Sequence, residues 1–480
     1  MKKINLLLLA LLSLGSCKDE LDQPESFTSK NIEEDYFNIN ALYSTKHTIS
    51  QKEAEEIALE FVNGPIRDGK SNSLKSTKTL KVAGTVVRCS GNGLKSKGQK
   101  QDTLGYFVNF ADNNGYAYVC ADDRVDASVL ALFDNGNYKG ENDTLIKPVY
   151  NMIDKYVSLS INKFEEKKEQ RLFMVEQAMK NGELCTNSSK KQMKALCLGT
   201  SDFVKGPFIK ATLGQGYNDY LPYCKCSYCT TNNKRDKVVS GCLAVALAQY
   251  QAYWGDLQSK YINNKWINCG LVNRMPTASE IALGRDYITR EPKCQLIRYF
   301  FNQLSEAGGI DEPTHAYTSA KSSSIANVSG FLRNAIRETP HDFNSEKIIT
   351  WLNKYNSPVF IEGKGVGTFD HVWLCDGVLA KYKFYILPTK IEKKFCYFHY
   401  NWGWDGSNNG FFLDEVFVNT NKVGIHYDNE SNDAKMKYED LQMWGMAPYD
   451  YETRKPRYPY TDYWIHGQDL VVDGDVITIP

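Results

Sequence analysis

The stretch "SGCLAVALAQYQAYW", residues 240–254, decides the fold because it sets a cysteine at the start of a strongly helical, apolar segment. After Cys242, apolar residues recur at helical spacing, and the small alanines between them allow close packing. Gly241 lets the chain turn tightly into this helix. A thiol at a helix N-terminus is a candidate nucleophile, because the positive end of the helix favours the thiolate. The stretch by itself fits an inert, buried cysteine at least as well.

The composition limits the classes of function. The chain has 480 residues, which is enough for more than one hydrophobic core. Lys and Arg number 57, and Asp and Glu also number 57, so the net charge is zero. Without a basic excess to neutralise phosphates, nucleic acid is not an expected partner.

The first residues, "MKKINLLLLALLSLGSC", have the pattern of an export signal. A basic start precedes an apolar run over 6–14, which is too short to span a bilayer. The last four residues, ending at Cys17, resemble a bacterial lipobox, in which the cysteine is acylated. We therefore expect 1–17 to be a lipoprotein signal peptide and the protein to be exported to the outer membrane or cell surface, with the membrane as a partner through lipid on Cys17. An ordinary signal peptide is the alternative.

Patterning along the rest of the chain predicts an α+β protein with five further segments. Residues 18–47 are polar and without a regular pattern, which predicts a tether. Residues 48–182 contain one helix, several strands and a final charged helix, as in a small α+β domain. Residues 183–204 predict an exposed joint suited to proteolysis. Residues 205–449 have helices first and strands second, which favours α+β over a parallel sheet. Residues 450–480 form a tail that can pack as a strand pair.

Individual elements follow from caps and periodicity. Ser50 and Glu53 predict a capping box before a helix, and "DNNG" after Ala111 predicts a hairpin. In the second half, helices are predicted at 242–254, 294–307, 324–336 and 345–354, and strands at 357–363, 370–378, 383–387, 395–402 and 409–416.

A nucleophilic cysteine needs an imidazole partner, which can be distant in sequence. His371 opens the strand-like "HVWLCDGV" next to a glycine-rich loop, about 130 residues after Cys242, a separation typical of papain-like enzymes. His399 is the rival. Its aromatic neighbours in "FHYNWGW" predict a strand residue turned away from the site.

Two more groups complete a possible site. Asn401 and Trp402 follow His371 and supply an amide or an aromatic lid to orient the imidazole. Gln215 lies between two glycines before Cys242 and supplies a donor for an oxyanion. The occurrence of Gln, Cys, His and Asn/Trp in this order is stronger evidence for a nucleophilic cysteine than any single one of these matches.

The blocks "GQGYNDYLPYC", "SGCLAVALAQYQAYW", "DHVWLCDG" and "NWGWDGSNNGFF" resemble those of streptopain-type cysteine peptidases of the papain-like superfamily. "ISQKEAEEIALEFVN" and the strands after it resemble the inhibitory prodomain of that family. The resemblance extends over about 48–449. It implies a papain-like cysteine peptidase domain preceded by a small α+β prodomain, which covers the cleft until cleavage in the joint.

The resemblance also implies roles. Cys242 would be the nucleophile, His371 the general base and acid, and Gln215 the oxyanion donor. Asn401 or Trp402 would orient or shield the imidazole. The implied partners are protein or peptide substrates and the chain's own prodomain, and no cofactor is implied. Asp370 departs from the glycine frequent in the family, and it is expected to raise the pKa of the imidazole or to narrow the cleft.

Two other functions stay open. A binding lipoprotein could keep this fold without activity, and the same residues could catalyse acyl transfer, such as transpeptidation. "CKCSYC" contains Cys224, Cys226 and Cys229. A structural zinc needs a fourth ligand, and no second CxxC or histidine pair follows at suitable spacing. The expectation is therefore no metal, with a loop disulfide or free thiols instead.

Overall fold

The structure is a computed structural model, and Asn38–Pro480 forms one compact unit. The predicted signal peptide and Cys17 lie outside the residues it describes. Within the described residues, no helix combines the length and apolarity that a membrane crossing requires. The described residues are 39–63, 80–89, 103–140, 145–180, 199–254, 260–262, 265–267, 269–272, 277–284, 287–311, 313–316, 318–320, 335–337, 341–366, 368, 370–386, 390–422, 437–450, 455–456, 470–472 and 475–477.

The N-terminal part, residues 39–180, packs helices against a four-stranded antiparallel sheet. The Ser50 N–H donates to Glu53 Oε2 at 2.8 Å and the Glu53 N–H donates to Ser50 Oγ at 3.3 Å, so the predicted capping box is confirmed. Asp112 has φ of 59° in the turn between the second and third strands, a left-handed conformation that aspartate tolerates. The elements are α1 (Ile39–Tyr43), α2 (Gln51–Asn63), β1 (Val82–Cys89), β2 (Thr103–Phe110), β3 (Tyr116–Cys120), β4 (Val129–Phe133), α3 (Lys147–Glu166) and α4 (Lys168–Lys180).

The C-terminal part, from residue 199 onward, has seven described helices around a long antiparallel sheet. The helices are α5 (Ser227–Thr231), α6 (Cys242–Tyr253), α7 (Cys269–Val272), α8 (Ala278–Ala282), α9 (Tyr287–Glu306), α10 (Ser345–Tyr355) and α11 (Asp414–Lys422). The strands are β5 (Gly199–Lys205), β6 (Lys260–Ile262), β7 (Lys265–Ile267), β8 (Ile310–Asp311), β9 (Ser319–Ala320), β10 (Ala335–Arg337), β11 (His341–Asp342), β12 (Val359–Val366), β13 (His371–Ile386), β14 (Lys390–Asn401), β15 (Gly410–Leu413), β16 (Lys437–Asp450), β17 (Lys455–Pro456), β18 (Leu470–Val472) and β19 (Asp475–Ile477).

One 13-stranded sheet runs through both parts, with its main path in the order β1-β2-β3-β4-β15-β14-β13-β12-β16-β10. The two parts join where β4 pairs with β15, with Ala131 opposite Phe412 and Phe133 opposite Gly410. The pairings between named strands are antiparallel, so the predicted α+β class is confirmed. A single hydrophobic core crosses the junction and includes Phe107, Phe133, Tyr150, Trp373, Tyr400 and Phe412.

Helix α6 is buried from Leu243 to Tyr253 and forms the centre of a second core. A helix that is apolar on all sides has to be enclosed by other elements. Leu296 and Phe300 of α9 and Leu374 of β13 belong to that core. Cys242, the first residue of α6, is therefore held on a rigid element.

Several predicted boundaries need correction. The tether over 18–47 is too long, because α1 places Ala41 and Leu42 in the interior. The joint over 183–204 ends earlier, because β5 pairs with β13, with Val204 opposite Leu379. Residues 183–198 of that joint lie outside the described residues.

The helix predicted at 324–336 is wrong at its end, because β10 pairs with β16 there. The remainder of that range, 324–334, lies outside the described residues. Helix α9 begins at Tyr287, earlier than the predicted start at 294. In the predicted tail, β18 and β19 form an antiparallel strand pair.

Candidate active site

Gly241 shapes the entrance to the nucleophile helix. It caps α6 with φ of 81° and ψ of 153°, a conformation that residues with a side chain rarely adopt. A Cβ at this position would lie 3.0 Å from the Thr318 carbonyl oxygen. Both facts require glycine directly before Cys242.

The Cys242 thiol, at the start of α6, accepts hydrogen bonds from backbone N–H groups. The Val372 N–H donates to Sγ at 3.4 Å, and the N–H groups of Cys242 and Leu243 also favour the thiolate. Burial is the larger effect and raises the pKa of the Cys242 thiol to about 11. In this arrangement the sulfur therefore carries its proton at neutral pH.

His371 is oriented by a backbone carbonyl. Its Nε2 lies 3.0 Å from the Trp402 oxygen. Because a carbonyl only accepts hydrogen bonds, Nε2 carries the proton and Nδ1 is the basic nitrogen of the neutral ring. The imidazole also stacks on Trp404, with ring centroids 5.0 Å apart, and on Trp373 at 5.7 Å.

Burial of His371 lowers its pKa to about 4, although the bond to Trp402 acts in the opposite direction. The bond from Val372 to Sγ brings the Cys242 thiol against the backbone next to His371. The thiol thus lies against the backbone N–H of Val372, directly after His371, and both the thiol and the imidazole are neutral at pH 7. Among the described hydrogen bonds, none joins Sγ directly to the ring.

Asn401 lies close to the site, but its side chain has other partners. Its Oδ1 accepts from Gln249 Nε2 at 2.7 Å and from the Gly403 N–H at 3.3 Å, and its Nδ2 donates to the Ala211 oxygen at 3.4 Å. These bonds tie α6 to the loop that carries Trp402. In the described contacts, the Trp402 carbonyl rather than the Asn401 amide orients His371.

Gln215 lies in a partly buried turn beside the tryptophan loop. Gly214 forms a β-bridge with Trp404, and the Asp405 N–H donates to the Leu213 oxygen at 3.0 Å. This loop therefore adjoins the ring that stacks on His371. The contacts described here include none between the Gln215 amide and Cys242, so its oxyanion role stays a prediction.

The expectation that Asp370 raises the pKa of the imidazole is wrong. The exposed Asp370 carboxylate accepts the Gly365 N–H at 2.8 Å through Oδ1. Burial determines the pKa of His371 instead and lowers it.

The His399 ring forms hydrogen bonds with two carboxylates, one at each ring nitrogen. Nδ1 lies 2.5 Å from Asp376 Oδ1 and Nε2 lies 2.7 Å from Asp134 Oδ2. Burial alone would lower the pKa of His399, but the two carboxylates outweigh it and raise the pKa to about 10. Asp134 belongs to the N-terminal part, so this charged histidine bridges both parts of the chain. Asp376 lies in the block "DHVWLCDG" that resembles the family, but it was given no role there, and no sequence pattern marked Asp134.

Residues 46–158 match the family model of the Spi protease inhibitor. The N-terminal part is thus similar to a protease inhibitor. The match covers α2, β1 to β4 and most of α3, which are the elements that extend the sheet and supply Asp134.

The solved structure of active wild-type interpain A cysteine protease from Prevotella intermedia is also similar to this chain. The identity is 15%, the match covers 50% of this chain and 94% of that chain, and the TM-score is 0.33. No curated protein is significantly similar in sequence.

Proposed function

We propose that this protein is the self-inhibited zymogen of a cysteine endopeptidase. The observation that carries the proposal is the Cys242 thiol at the start of α6, which accepts the N–H of Val372, the residue directly after His371. The protonated Nε2 of His371 in turn donates to the Trp402 carbonyl. That bond leaves Nδ1 available as a base. The similarity of residues 46–158 to a protease inhibitor supports the zymogen.

The chemistry would proceed by acyl transfer to the thiol. His371 Nδ1 takes the Cys242 proton as Sγ attacks the peptide carbonyl carbon, and a tetrahedral intermediate forms. The Cys242 N–H and Gln215 would donate to its oxyanion. The carbon–nitrogen bond then breaks, and the imidazolium returns the proton to the departing amine. Water, deprotonated by His371, cleaves the thioester and restores the thiol.

The two shifted pKa values support a latent state. A thiol with a pKa of about 11 and an imidazole with a pKa of about 4 stay neutral at pH 7, whereas catalysis needs the thiolate. We propose that the inhibitor-like part, which extends the sheet through β4 and β15, holds the protein in this state. Removal of the inhibitor-like part would admit water and substrate, and would so favour the ion pair between the Cys242 thiolate and the His371 imidazolium.

The first experiment compares Cys242→Ala and His371→Ala with wild type on a quenched fluorescent peptide. Loss of more than about 100-fold in kcat/KM is expected from either change, because each removes the nucleophile or its base. Cys89→Ala, which removes a partly exposed cysteine of β1, is the matched control and should retain activity. Activity near wild type in Cys242→Ala or His371→Ala refutes the proposal.

Product identity decides between hydrolysis and transfer. Free carboxylate products are expected when the peptide is incubated with an added amine. A dominant amide product would show that the same thiol catalyses transpeptidation instead.

We also propose that the chain is exported and anchored by lipid on Cys17. The supporting observation is the basic and apolar start that ends in a lipobox-like sequence. Metabolic labelling with a fatty acid should mark the wild type, whereas Cys17→Ala should remain unlabelled. Equal labelling of both proteins contradicts the anchor.

A further inference from the structure

Three cysteines and one histidine, none of which belongs to the candidate catalytic residues, converge in one cluster. One ligand atom from each of Cys224, Cys226, Cys229 and His315 lies within 4.8 Å of all the others. Cys226 Sγ is 3.3 Å from His315 Nδ1. In a tetrahedral zinc site with ordinary bond lengths, neighbouring ligand atoms are about 3.6–3.8 Å apart. The cluster is thus close to the size that a zinc ion requires.

Local structure directs the sulfur atoms toward one point. Cys226 caps α5 and Cys229 lies within that short helix, so the C-x-x-C pair turns both sulfurs to one side. The Cys226 N–H donates to Cys224 Sγ at 3.4 Å. Backbone N–H groups that bond to a cysteine sulfur stabilise its thiolate, the form that binds metal.

His315 comes from a separate loop and is held in place. Its ring stacks on Tyr228 with centroids 4.8 Å apart. If Nδ1 ligates the metal, Nε2 carries the proton, as in neutral metal-bound imidazole. The expectation that the cysteines lack a fourth ligand is therefore wrong, because His315 lies 89 residues beyond Cys226 in sequence but beside it in space.

We propose that Cys224, Cys226, Cys229 and His315 bind a structural Zn²⁺ ion. Sulfur and imidazole ligands favour zinc over calcium or magnesium, which prefer oxygen. Four protein ligands close the coordination sphere, as in structural rather than catalytic sites. A disulfide is the competing state in an exported protein, but it would use two of the sulfurs and leave the third and the histidine without a role.

The metal would clamp the segment that leads to the nucleophile. On one side, the Cys224 N–H donates to the Asp236 oxygen at 2.8 Å. On the other, the Val239 N–H donates to the Thr314 oxygen at 3.0 Å, and Thr318 Oγ1 donates to the Val239 oxygen at 2.5 Å. Residues 236–239 thus lie between the two ligand-bearing segments. The consequence for catalysis rests on the proposed peptidase function, whereas the metal site does not.

The first test measures metal in the full-length Cys242→Ala protein, purified without chelator, by mass spectrometry of the elements. About one zinc per chain is expected, falling below about a tenth in Cys229→Ser and His315→Ala. Cys89→Ser removes a thiol outside the cluster and should keep the zinc. His315→Cys supplies a fourth thiolate and should restore binding, which separates lost ligation from misfolding.

Cobalt substitution gives a second, spectroscopic readout. Co²⁺ added to apoprotein should produce the visible bands of tetrahedral coordination together with sulfur-to-metal charge transfer. His315→Ala should weaken and shift these bands, because three thiolates and a water remain as ligands. Absence of zinc from the purified protein together with absence of these bands overturns the proposal. So does peptide mapping that finds a disulfide between any two of the three cysteines.

Activity measurements separate this proposal from the proposed function. In processed wild-type protein, chelation should slow covalent labelling of Cys242 at least about fivefold, and added zinc should restore the rate. Bound zinc without peptidase activity supports the metal site and refutes the proposed function. Full activity in metal-free protein refutes the proposed effect of the metal on the segment 236–239 that leads to Cys242.

Discussion

The ion pair between His399 and Asp134 gives the sharpest prediction about how the two parts of the chain hold together. The substitution Asp134→Asn keeps a hydrogen-bond acceptor for Nε2 and removes only the charge. His399 retains its bond to Asp376 in either case. The change therefore tests the electrostatic contribution of one carboxylate at the junction of β4 and β15.

The structure sets the size of the effect. The His399 side chain is 2% exposed, but that of Asp134 is 35% exposed, so solvent screens part of the attraction. Loss of a buried charged partner costs about 3–5 kcal/mol. With the hydrogen bond kept and partial exposure, we expect a cost of about 1–2 kcal/mol, or roughly a tenfold rise in opening of the junction.

Hydrogen exchange of the β4 and β15 amides measures this opening in the Cys242→Ala protein, which lacks the candidate nucleophile. Exchange should be about tenfold faster in Asp134→Asn. Asp112→Asn is the matched control, because Asp112 is an exposed aspartate in the turn between β2 and β3 of the same N-terminal part. Equal exchange in Asp134→Asn and wild type would show that the ion pair does not hold the junction.

The same pair has a defined pH dependence. The pKa of His399 is raised to about 10, so its stabilisation is complete below about pH 6.5 and is lost as the pH rises toward 10. Because Asp376 stays bonded after the junction opens, only the share due to Asp134 affects the opening. After correction for intrinsic exchange, wild type should open more readily at pH 9 than at pH 7, and Asp134→Asn should change less.

Three further predictions concern the candidate active site. Burial lowers the pKa of His371 to about 4, so the contribution of this neutral ring to folding is complete above about pH 6.5 and is lost as the pH falls toward 4. Urea unfolding of Cys242→Ala at pH 7 and 4.5 should show a loss of about 2–3 kcal/mol that His371→Gln lacks, and equal losses would contradict the burial argument. Gly241→Ala should destabilise the protein by about 1–3 kcal/mol because of the left-handed φ and the 3.0 Å approach to Thr318, and unchanged thermal unfolding would refute this strain. Asn401→Ala leaves the Gln249 amide without its acceptor, so we expect a loss of about 1–3 kcal/mol in stability. The kcat/KM of the folded protein should change less than about threefold, because the lost bond stabilises the fold rather than the imidazole. A loss of activity above about 100-fold at full stability would instead assign orientation of His371 to the Asn401 amide.

Local patterns predicted the elements that carry the candidate site. The capping box at Ser50 and the apolar helix after Gly241 depend on residues within a few positions of each other, and both are present. His371 does open a strand, as the alternating sequence after it predicted. These features need no knowledge of distant contacts.

Contacts between distant segments could not be predicted in the same way. His315 and Asp134 lie in polar loops that carry no periodic signal, and their partners are 89 and 265 residues away. The segment at Ala335 has helical spacing, but pairing with β16 makes it a strand. Tertiary pairing overrides local propensity in such short segments. The Trp402 carbonyl was missed as the group that orients His371 because side-chain chemistry does not reveal backbone acceptors.

The pairing of β4 with β15 has a consequence for the order of events after chain cleavage. A cut within 183–198 would fall before β5, which stays paired with β13, and would leave the ladder between β4 and β15 intact. The nicked product would therefore persist as a two-chain complex, whose lifetime is set by dissociation rather than by proteolysis. Once the N-terminal chain that carries β4 dissociates, β15 becomes a free sheet edge of only four residues, Gly410–Leu413. So short an edge offers little template for association with other chains.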